Sequence, residues 1–337
     1  MKIFENISLL PYNTFGIDVK ADFFIEYDSV SDLQEVLKTE IIKSNRILHI
    51  GSGSNLLFLN DFNGVVLHSK IETISVIRED ENTVLLEVGS GVVWDDLVAQ
   101  CVENAWGGLE NLSLIPGEVG AAAVQNIGAY GVEIQDLIVE VNAVEIENGL
   151  RKRFSMEECL YGYRDSIFKN ELKAKYIISS VLFCVQKNAA FHLNYQHLEA
   201  EVLKNGALNL SNIRNTIIKI RESKLPDTKV YGNAGSFFMN PVLTKKQFQK
   251  LQEKYPLMPH YYVSELEEKV PAAWLIDQCG WKGKQIGNAG VHAQQALVLV
   301  NRGGATGLEI VALAEQIQAS VLEYFGVKLQ AEVNYIN

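Results

Sequence analysis

Apolar residues in this chain follow two rhythms, one helical and one alternating, and together they mark out most of its elements. Ser29-Val30-Ser31-Asp32 opens a helical pattern with Leu33, Val36, Leu37 and Ile41 on one face. Short strands are predicted at Ile47–Ile50 and Val65–Leu67. Thr73–Ile77 and Thr83–Val88 alternate on either side of Asp80-Glu81-Asn82 and predict a hairpin. A helix carrying Leu97, Val98, Cys101 and Val102 is expected to end at Gly107-Gly108. Further strands are predicted over Ile138–Ile146 and Tyr176–Val185. A helix begins near Ser211, carries Ile213, Ile217, Ile218 and Ile220, and stops before Pro226. Thr244 caps a helix with Phe248 and Leu251, and Pro271 opens one with Trp274, Leu275 and Ile276, closed by Gly280. The last helix carries Ile310, Val311, Ala314, Ile317, Val321 and Phe325, with Gly326 just past its end. Val327–Val333 then alternates and predicts a closing strand with Glu332 on its polar face. Strand-rich segments mixed with helices in this way read as an α+β fold of three lobes, not a regular doubly wound sheet.

Composition narrows the picture. Hydrophobic residues make up 47% of 337 residues, enough for a sizeable core and for more than one domain. No apolar run approaches the length of a membrane span, and the opening MKIFENISLLPYN has no cleavage-site pattern. The four cysteines are widely spaced with no CxxC pair, which argues against a zinc knuckle or redox dithiol and predicts no metal. These features predict a cytoplasmic protein that engages no membrane. A net charge of −11 argues against nucleic-acid binding and makes the average field unfavourable for a phosphate-bearing ligand. Such a ligand must be held by local N–H groups and individually placed cations.

The chemistry concentrates in a few runs. Ile115–Gly131 reads IPGEVGAAAVQNIGAYG, and Glu118 is its only charged residue. So little side-chain bulk lets a flat or anionic ligand approach the main chain, or lets two backbones pack tightly. Gly51-Ser52-Gly53-Ser54-Asn55-Leu56 follows a predicted strand but does not complete G-x-G-x-x-G, so a Rossmann site is unsupported. Its N–H groups and serines suit a phosphate or an ordinary turn. Arg164 sits in Tyr161-Gly162-Tyr163-Arg164-Asp165-Ser166-Ile167-Phe168, either as a surface partner of Asp165 or as a carboxylate fork. Ser236 in Gly235-Ser236-Phe237-Phe238 lacks the G-x-S-x-G elbow of a serine hydrolase.

The order of residues in Ile115–Gly131 closely resembles the flavin-contacting loop of the UDP-N-acetylenolpyruvoylglucosamine reductases, and the resemblance runs from Asn13-Thr14-Phe15-Gly16 to Glu332. It implies the FAD-binding fold typified by vanillyl-alcohol oxidase and p-cresol methylhydroxylase. The family's G-x-G-S-N-L segment is matched by Gly51, Gly53, Ser54, Asn55 and Leu56. In the second loop the resemblance assigns the cofactor to Ile115, Pro116, Gly117, Val119, Gly120 and Ala121, then to Gln125, Asn126, Ile127 and Gly128, with Ile178 beyond. No histidine lies in either loop, so the implied FAD is noncovalent. Tyr163, Arg164, Ser166 and Phe168 match Y-R-x-S-x-F, whose Arg is catalytic, and Ser236 matches the proton donor of G-S-F-F-x-N-P. Glu332 matches the family's terminal catalytic Glu, although Asn334-Tyr335-Ile336-Asn337 departs from the basic and aromatic pair of many relatives. The substrate-binding matches are Tyr195, Lys224, Asn240, Tyr261, Lys282 and Gln295, and the Tyr195 segment resembles the tyrosine loop of type I members.

The implied reaction passes hydride from NADPH through FAD to the enolpyruvyl ether of UDP-N-acetylglucosamine, giving UDP-N-acetylmuramate. The implied lobes are 1–70 and 71–224 plus 326–337 for FAD, and 225–325 for substrate, in an expected monomer. A flavin oxidase of the same fold and a noncatalytic UDP-sugar-binding flavoprotein are the alternatives. Purified protein is therefore expected to be yellow, to bleach with NADPH and to recover its colour on the enolpyruvyl substrate. A colourless chain that takes up no added FAD would overturn this reading.

Overall fold

A computed structural model describes residues 1–195 and 197–337, whose contacts divide into two compact units. The first comprises Met1–Ile7, Lys20–Ser52 and Asn63–Ser223, and the second comprises Ser8–Val19, Gly53–Phe62 and Lys224–Asn337.

Two larger sheets and the short ladder Gly128–Ala129 / Val132–Glu133 lie in the first unit. One runs in the order Lys2–Ser8, Lys20–Tyr27, Phe62–Ser69, Ile47–Ile50, the last two strands parallel with Ile50 opposite His68. The first two of these strands went unread in the sequence. Helix Val30–Leu37 begins where Ser29 Oγ accepts the Asp32 N–H at 3.0 Å, as its spacing predicts. The pattern does not continue as one helix to Ile41. Thr39 bonds back to the Val36 carbonyl at 2.7 Å, which interrupts the ladder, and caps a separate turn, Glu40–Lys43. Leu33, Val36, Leu37 and Ile42 bury against Ile25, Val65 and Leu67.

The second sheet is antiparallel, in the order Arg151–Ser155, Ile138–Glu145, Tyr176–Gln186, Thr83–Gly89, Ile74–Glu79. The predicted hairpin is present, with the Asp80 carboxylate accepting the Asn82 and Thr83 N–H groups at 2.9 and 2.8 Å. Helices Trp94–Glu103 and Val119–Gln125 pack on this sheet through Trp94, Leu97, Val98, Cys101, Val119 and Ala123. The first of them stops before the predicted glycines. Asn104 turns its amide back to the Gln100 carbonyl at 2.8 Å and Ala105 takes a left-handed φ of 58°. Helices Leu198–Asn205 and Leu210–Lys224 share a smaller core of Leu198, Val202, Ile213 and Ile217.

The second unit holds two small antiparallel sheets, Val242–Thr244 / Glu267–Lys269 / Tyr261–Ser264 and Gln285–Ile286 / Ala289–Val291 / Leu299–Asn301. Thr244 caps Lys245–Lys254 with a full capping box, Pro271 opens Ala272–Gln278, and Gly326 closes Gly307–Phe325 at φ 66°. The predicted closing strand Val327–Val333 is not a ladder. Its alternation is real, since Val327, Leu329 and Val333 are buried while Lys328 and Gln330 are exposed, but only Ala331 makes a bridge, to Phe238. The strand itself comes later, where Asn334–Ile336 pairs in parallel with Leu56–Phe58.

Irregular segments here are tied by buried amides. Asn13 donates to the carbonyls of Leu9 and Ile17 at 2.8 and 2.9 Å and accepts the Ile17 N–H at 2.9 Å. Asn301, 5% exposed, donates to Phe15 O at 2.9 Å and accepts the N–H groups of Gly303 and Ala305 at 2.9 and 3.0 Å. Asn301→Ala strands all three backbone groups, each worth about 1 kcal/mol or more when buried, so a loss of roughly 2–4 kcal/mol in urea unfolding is expected. Unchanged stability would refute the role given to this side chain.

Candidate functional site

In the first unit the two small-residue segments come together. Strand Ile47–Ile50 delivers the chain to Gly51 and Ser52. A Cβ on Gly51 would lie 3.2 Å from Glu118 Oε2 and 3.4 Å from Ala121 Cβ, so this turn sits directly on the start of the Gly/Ala run. That run is not a plain loop, because Val119–Gln125 is helical. Val119, Gly120, Ala122 and Ala123 face the core, while Ala121 and Gln125, one turn apart, are partly exposed. The N–H groups of Val119 and Gly120 bond to the carbonyls of Val92 and Ser90, both at 2.9 Å, so these donors serve the fold. The Ser52 hydroxyl is buried without a hydrogen-bond partner among the described residues. Ile178 is 3% exposed and belongs to the sheet core.

The start of the run is anchored by Asp95. Its carboxylate accepts the Leu114 N–H at 2.6 Å and a two-point fork from Arg214 at 2.6 and 2.9 Å. Desolvation pushes the Asp95 carboxyl up, but the Arg214 and Leu114 bonds outweigh it and hold it below its ordinary range. Glu118, the run's one charge, is buried and bonded to His68 Nε2 at 3.0 Å, with Glu26 Oε1 3.6 Å from the other ring nitrogen.

Arg164 lies against the far end of the same run. Its guanidinium donates to the Gly128 carbonyl and, at 3.3 Å, to that of Asn126. A Cβ on Gly128 would stand 3.0 Å from Arg164 Nη1 and 2.9 Å from Glu133 Cγ, so the absence of a side chain there makes room for the arginine. The bland expectation of an Arg164–Asp165 surface pair is not realised, because the Asp165 carboxylate accepts from the Ser166 N–H and the Asn170 amide instead. Asn126, fully buried, donates to Glu133 Oε2 and Gly162 O at 2.8 and 2.7 Å, joining the run to the segment before Arg164. Two neighbours were missed in the sequence. Burial pulls the Arg221 guanidinium below its ordinary range, partly offset by the neighbouring Tyr130 and Asp95. Asn111 bonds the Tyr130 carbonyl at 3.0 Å. An asparagine between Glu110 and Leu112 reads as turn chemistry, which hides it.

In the second unit, Gly235–Met239 runs antiparallel beside Gln330–Glu332. The Glu332 N–H donates to Phe237 O at 2.8 Å, and the Met239 N–H to Gln330 O at 2.9 Å. Ser236 and Glu332 therefore lie on adjacent segments, a relation no spacing in the sequence discloses. Phe237 and Phe238 are wholly buried and Ser236 is exposed. The Gly235 N–H bonds to Asn233 Oδ1 at 2.9 Å, which shapes the turn before the serine. Asn55 reaches the same place, donating to the Glu332 carbonyl at 3.1 Å while its own carbonyl accepts the Asn334 N–H at 3.0 Å. Gly53 has φ 66°, and a Cβ there would meet the Tyr12 carbonyl at 2.0 Å, so its glycine is required by the fold itself. Ser54 and Leu56 follow it into the strand that pairs with Asn334–Ile336.

The substrate matches are dispersed. Asn240 Oδ1 accepts the Ala272 N–H at 2.9 Å at the start of a helix. Lys282 lies 3.4 Å from Asp277 Oδ2, and Gln295 Oε1 accepts the Leu297 N–H at 3.3 Å. Tyr261 is partly exposed at the start of strand Tyr261–Ser264, and Lys224 is exposed at the end of its helix. In the first unit Tyr195 meets the Tyr130 ring edge-on with centroids 5.7 Å apart. Among the described residues no group of three or more His, Cys, Asp or Glu could hold a metal ion, and no helix is long and apolar enough to cross a membrane.

Known proteins match this arrangement over its whole length. Residues 226–336 match the C-terminal domain of UDP-N-acetylenolpyruvoylglucosamine reductase, and residues 21–155 match an FAD binding domain. A UDP-N-acetylenolpyruvoylglucosamine reductase of Bacteroides fragilis is 51% identical over 332 residues, covering 98% of this chain and 99% of its own. One of Flavobacterium johnsoniae is 48% identical over 339 residues, covering 100% of both. The chain belongs to the UDP-N-acetylenolpyruvoylglucosamine reductase family.

The fold agrees. The crystal structure of a reductase of this family from Thermus caldophilus superposes with a TM-score of 0.71 at 22% identity, covering 100% of both chains. That of p-cresol methylhydroxylase gives 0.51 at 14% identity, covering 97% of this chain and 85% of the other. This is the α+β FAD-binding fold of that group, built without a Rossmann unit. The FAD-binding match includes both Gly51–Leu56 and the Gly/Ala run, while the C-terminal match includes Ser236 and Glu332. Gly128→Ala is expected to leave the far-UV circular dichroism unchanged but to displace Arg164, lowering the family's reductase activity by roughly 10²-fold, the usual cost of a misplaced group. Undiminished turnover would show that the seat of Arg164 on Gly128 is immaterial.

Proposed function

We propose that the chain catalyses NADPH-dependent, FAD-mediated reduction of UDP-N-acetylenolpyruvoylglucosamine to UDP-N-acetylmuramate, as a cytoplasmic type I enzyme of peptidoglycan precursor synthesis. It thereby serves cell-wall growth, cell shape and division. Residues 1–70 and 71–224 with 326–337 serve the cofactor, and 225–325 the substrate. The observation that supports this reading is the pairing of the Ser236–Met239 segment with Gln330–Glu332, which sets the segments carrying Ser236 and Glu332 side by side.

The residues present suit FAD. The buried, unpartnered Ser52 hydroxyl beside Gly51 is a donor in want of an acceptor, which a phosphate oxygen supplies. The partly exposed face of Ala121 and Gln125 offers the low relief a flat ring needs. Attachment is noncovalent, for want of a histidine in either segment. When bound, FAD supplies two-electron hydride chemistry.

Hydride addition to the terminal carbon of the enolpyruvyl group leaves negative charge on the neighbouring carbon, shared with the substrate carboxylate. Arg164 stabilises that charge. Its bonds to Asn126 and Gly128 fix the plane of the guanidinium beforehand, so little reorganisation is needed. Glu332 contributes as a hydrogen-bond donor in its protonated form, since an ionised carboxylate facing the anion would repel it. Ser236 donates a proton to the carbanionic carbon. A serine hydroxyl is a weak acid, and only a strongly basic acceptor such as this enolate draws its proton. Lys224, Lys282, Tyr195, Asn240, Tyr261 and Gln295 hold the nucleotide-sugar diphosphate, and the two lysines supply local positive charge on an acidic protein.

Ser236→Ala is expected to leave bleaching of the flavin by NADPH nearly unchanged and to slow recovery on substrate by roughly 10²–10⁴-fold. Stopped-flow measurement of the two half-reactions decides the matter. Equal slowing of both, or of neither, rejects the proton-donor role.

A further inference from the structure

Asn111 sits on the 3₁₀ turn Glu110–Leu112, 1% exposed, and nothing in the proposed chemistry uses it. Its turn is rigid. Glu110 Oε2 accepts the Gly108 N–H at 2.6 Å, Ser113 Oγ donates to Glu110 O at 2.6 Å, and Trp94 Nε1 donates to Leu112 O at 2.9 Å. From that base Asn111 Nδ2 bonds two carbonyls at once. One is Tyr130 O at 3.0 Å, at the end of the Gly/Ala run, and the other is His192 O at 2.7 Å, in the segment that leads to Tyr195.

A second contact lies on the same seam. The rings of Tyr130 and Tyr195 meet edge-to-face at 76°. Tyr130 holds a left-handed φ of 50°, an uncommon state for a bulky residue, and packs with Phe191 against Leu193, Leu198 and Val202. Gly131 follows, and a Cβ there would only touch Tyr195 Cβ, at 3.8 Å. Phe191 and Leu193 pack into this small core, and the Asn111 bond and the ring contact tie their segment to Tyr130.

We propose that Asn111 is a positioning residue for Tyr195, clasping the tyrosine segment to the end of the Gly/Ala run so that Tyr195 is presented to substrate only while that run is in place. The effect on substrate rests on the reading of Tyr195 as a substrate-binding residue, whereas the clasp stands on geometry alone. Asn111 acts through Tyr195 and takes no part in bond making, so its loss separates substrate affinity from flavin reduction.

The test uses the FAD-loaded full chain. Chymotrypsin cleavage after Phe191, Leu193 or Tyr195 is measured in wild type and in Asn111→Ala, with KM for the enolpyruvyl nucleotide sugar and the rate of flavin bleaching by NADPH. Cleavage and KM are each expected to rise roughly tenfold, the usual effect of losing a buried hydrogen-bonded amide, while bleaching is unchanged. In a Tyr195→Ala background, Asn111→Ala should add nothing to KM. Unchanged cleavage, or an additive KM effect, overturns the proposal. Raised cleavage with an unchanged KM supports the clasp and rejects Tyr195 as a substrate residue. Should Asn111→Ala fail to fold, Asn111→Leu keeps the volume and removes the Nδ2 donor, and unchanged cleavage in that variant overturns the proposal equally.

Discussion

Buried asparagine amides hold the irregular backbone of this protein in shape. Loops that present ligands cannot pair in a ladder, yet their carbonyls and N–H groups still need partners once water is excluded. Asn13, Asn111, Asn126, Asn233 and Asn301 are each nearly or wholly buried, and each bonds main-chain carbonyls that lie outside regular strands and helices. An amide suits this work because it donates and accepts at once and carries no charge to desolvate. Asn55 extends the pattern to the main chain of Glu332, and Arg164 does with a cation what the amides do without one.

This arrangement explains why the small residues cluster as they do. Gly128 leaves room for a guanidinium and Gly53 for a neighbouring carbonyl, so part of the glycine content serves internal fit. The partly exposed helical face is narrower than the whole run and comprises Ala121 and Gln125, with Ala121 beside Gly51. The net charge of −11 carries a related lesson. An acidic protein can accept an anionic ligand when a positive group is rigidly held, as Arg164 is on its two carbonyls.

Much of the fold was legible because its signals are local. The capping residue Thr244, the Asp80 turn and the glycine after Phe325 act on their own neighbours, and those elements stand where their patterns place them. Alternation proved ambiguous for a physical reason. It reports which side chains are buried, and Val327–Val333 satisfies it as an extended segment with one bridge. The helix inside the Gly/Ala run was hidden because Gly and Ala carry too little side chain to mark an apolar face. The motif residues could be named from family resemblance, but their relations could not. That Asn55 holds Glu332, or that Gly128 seats Arg164, depends on contacts between residues far apart in the chain.

The bond from Asn55 to Glu332 joins positions 277 residues apart, and the parallel pairing of Leu56–Phe58 with Asn334–Ile336 bridges a similar span. Ring closure on that scale is entropically slow. A ribosome must therefore release almost all of these residues before the serine and the glutamate can become neighbours. Until then the nascent polypeptide carries these segments apart, and their pairing waits on all the residues that lie between them.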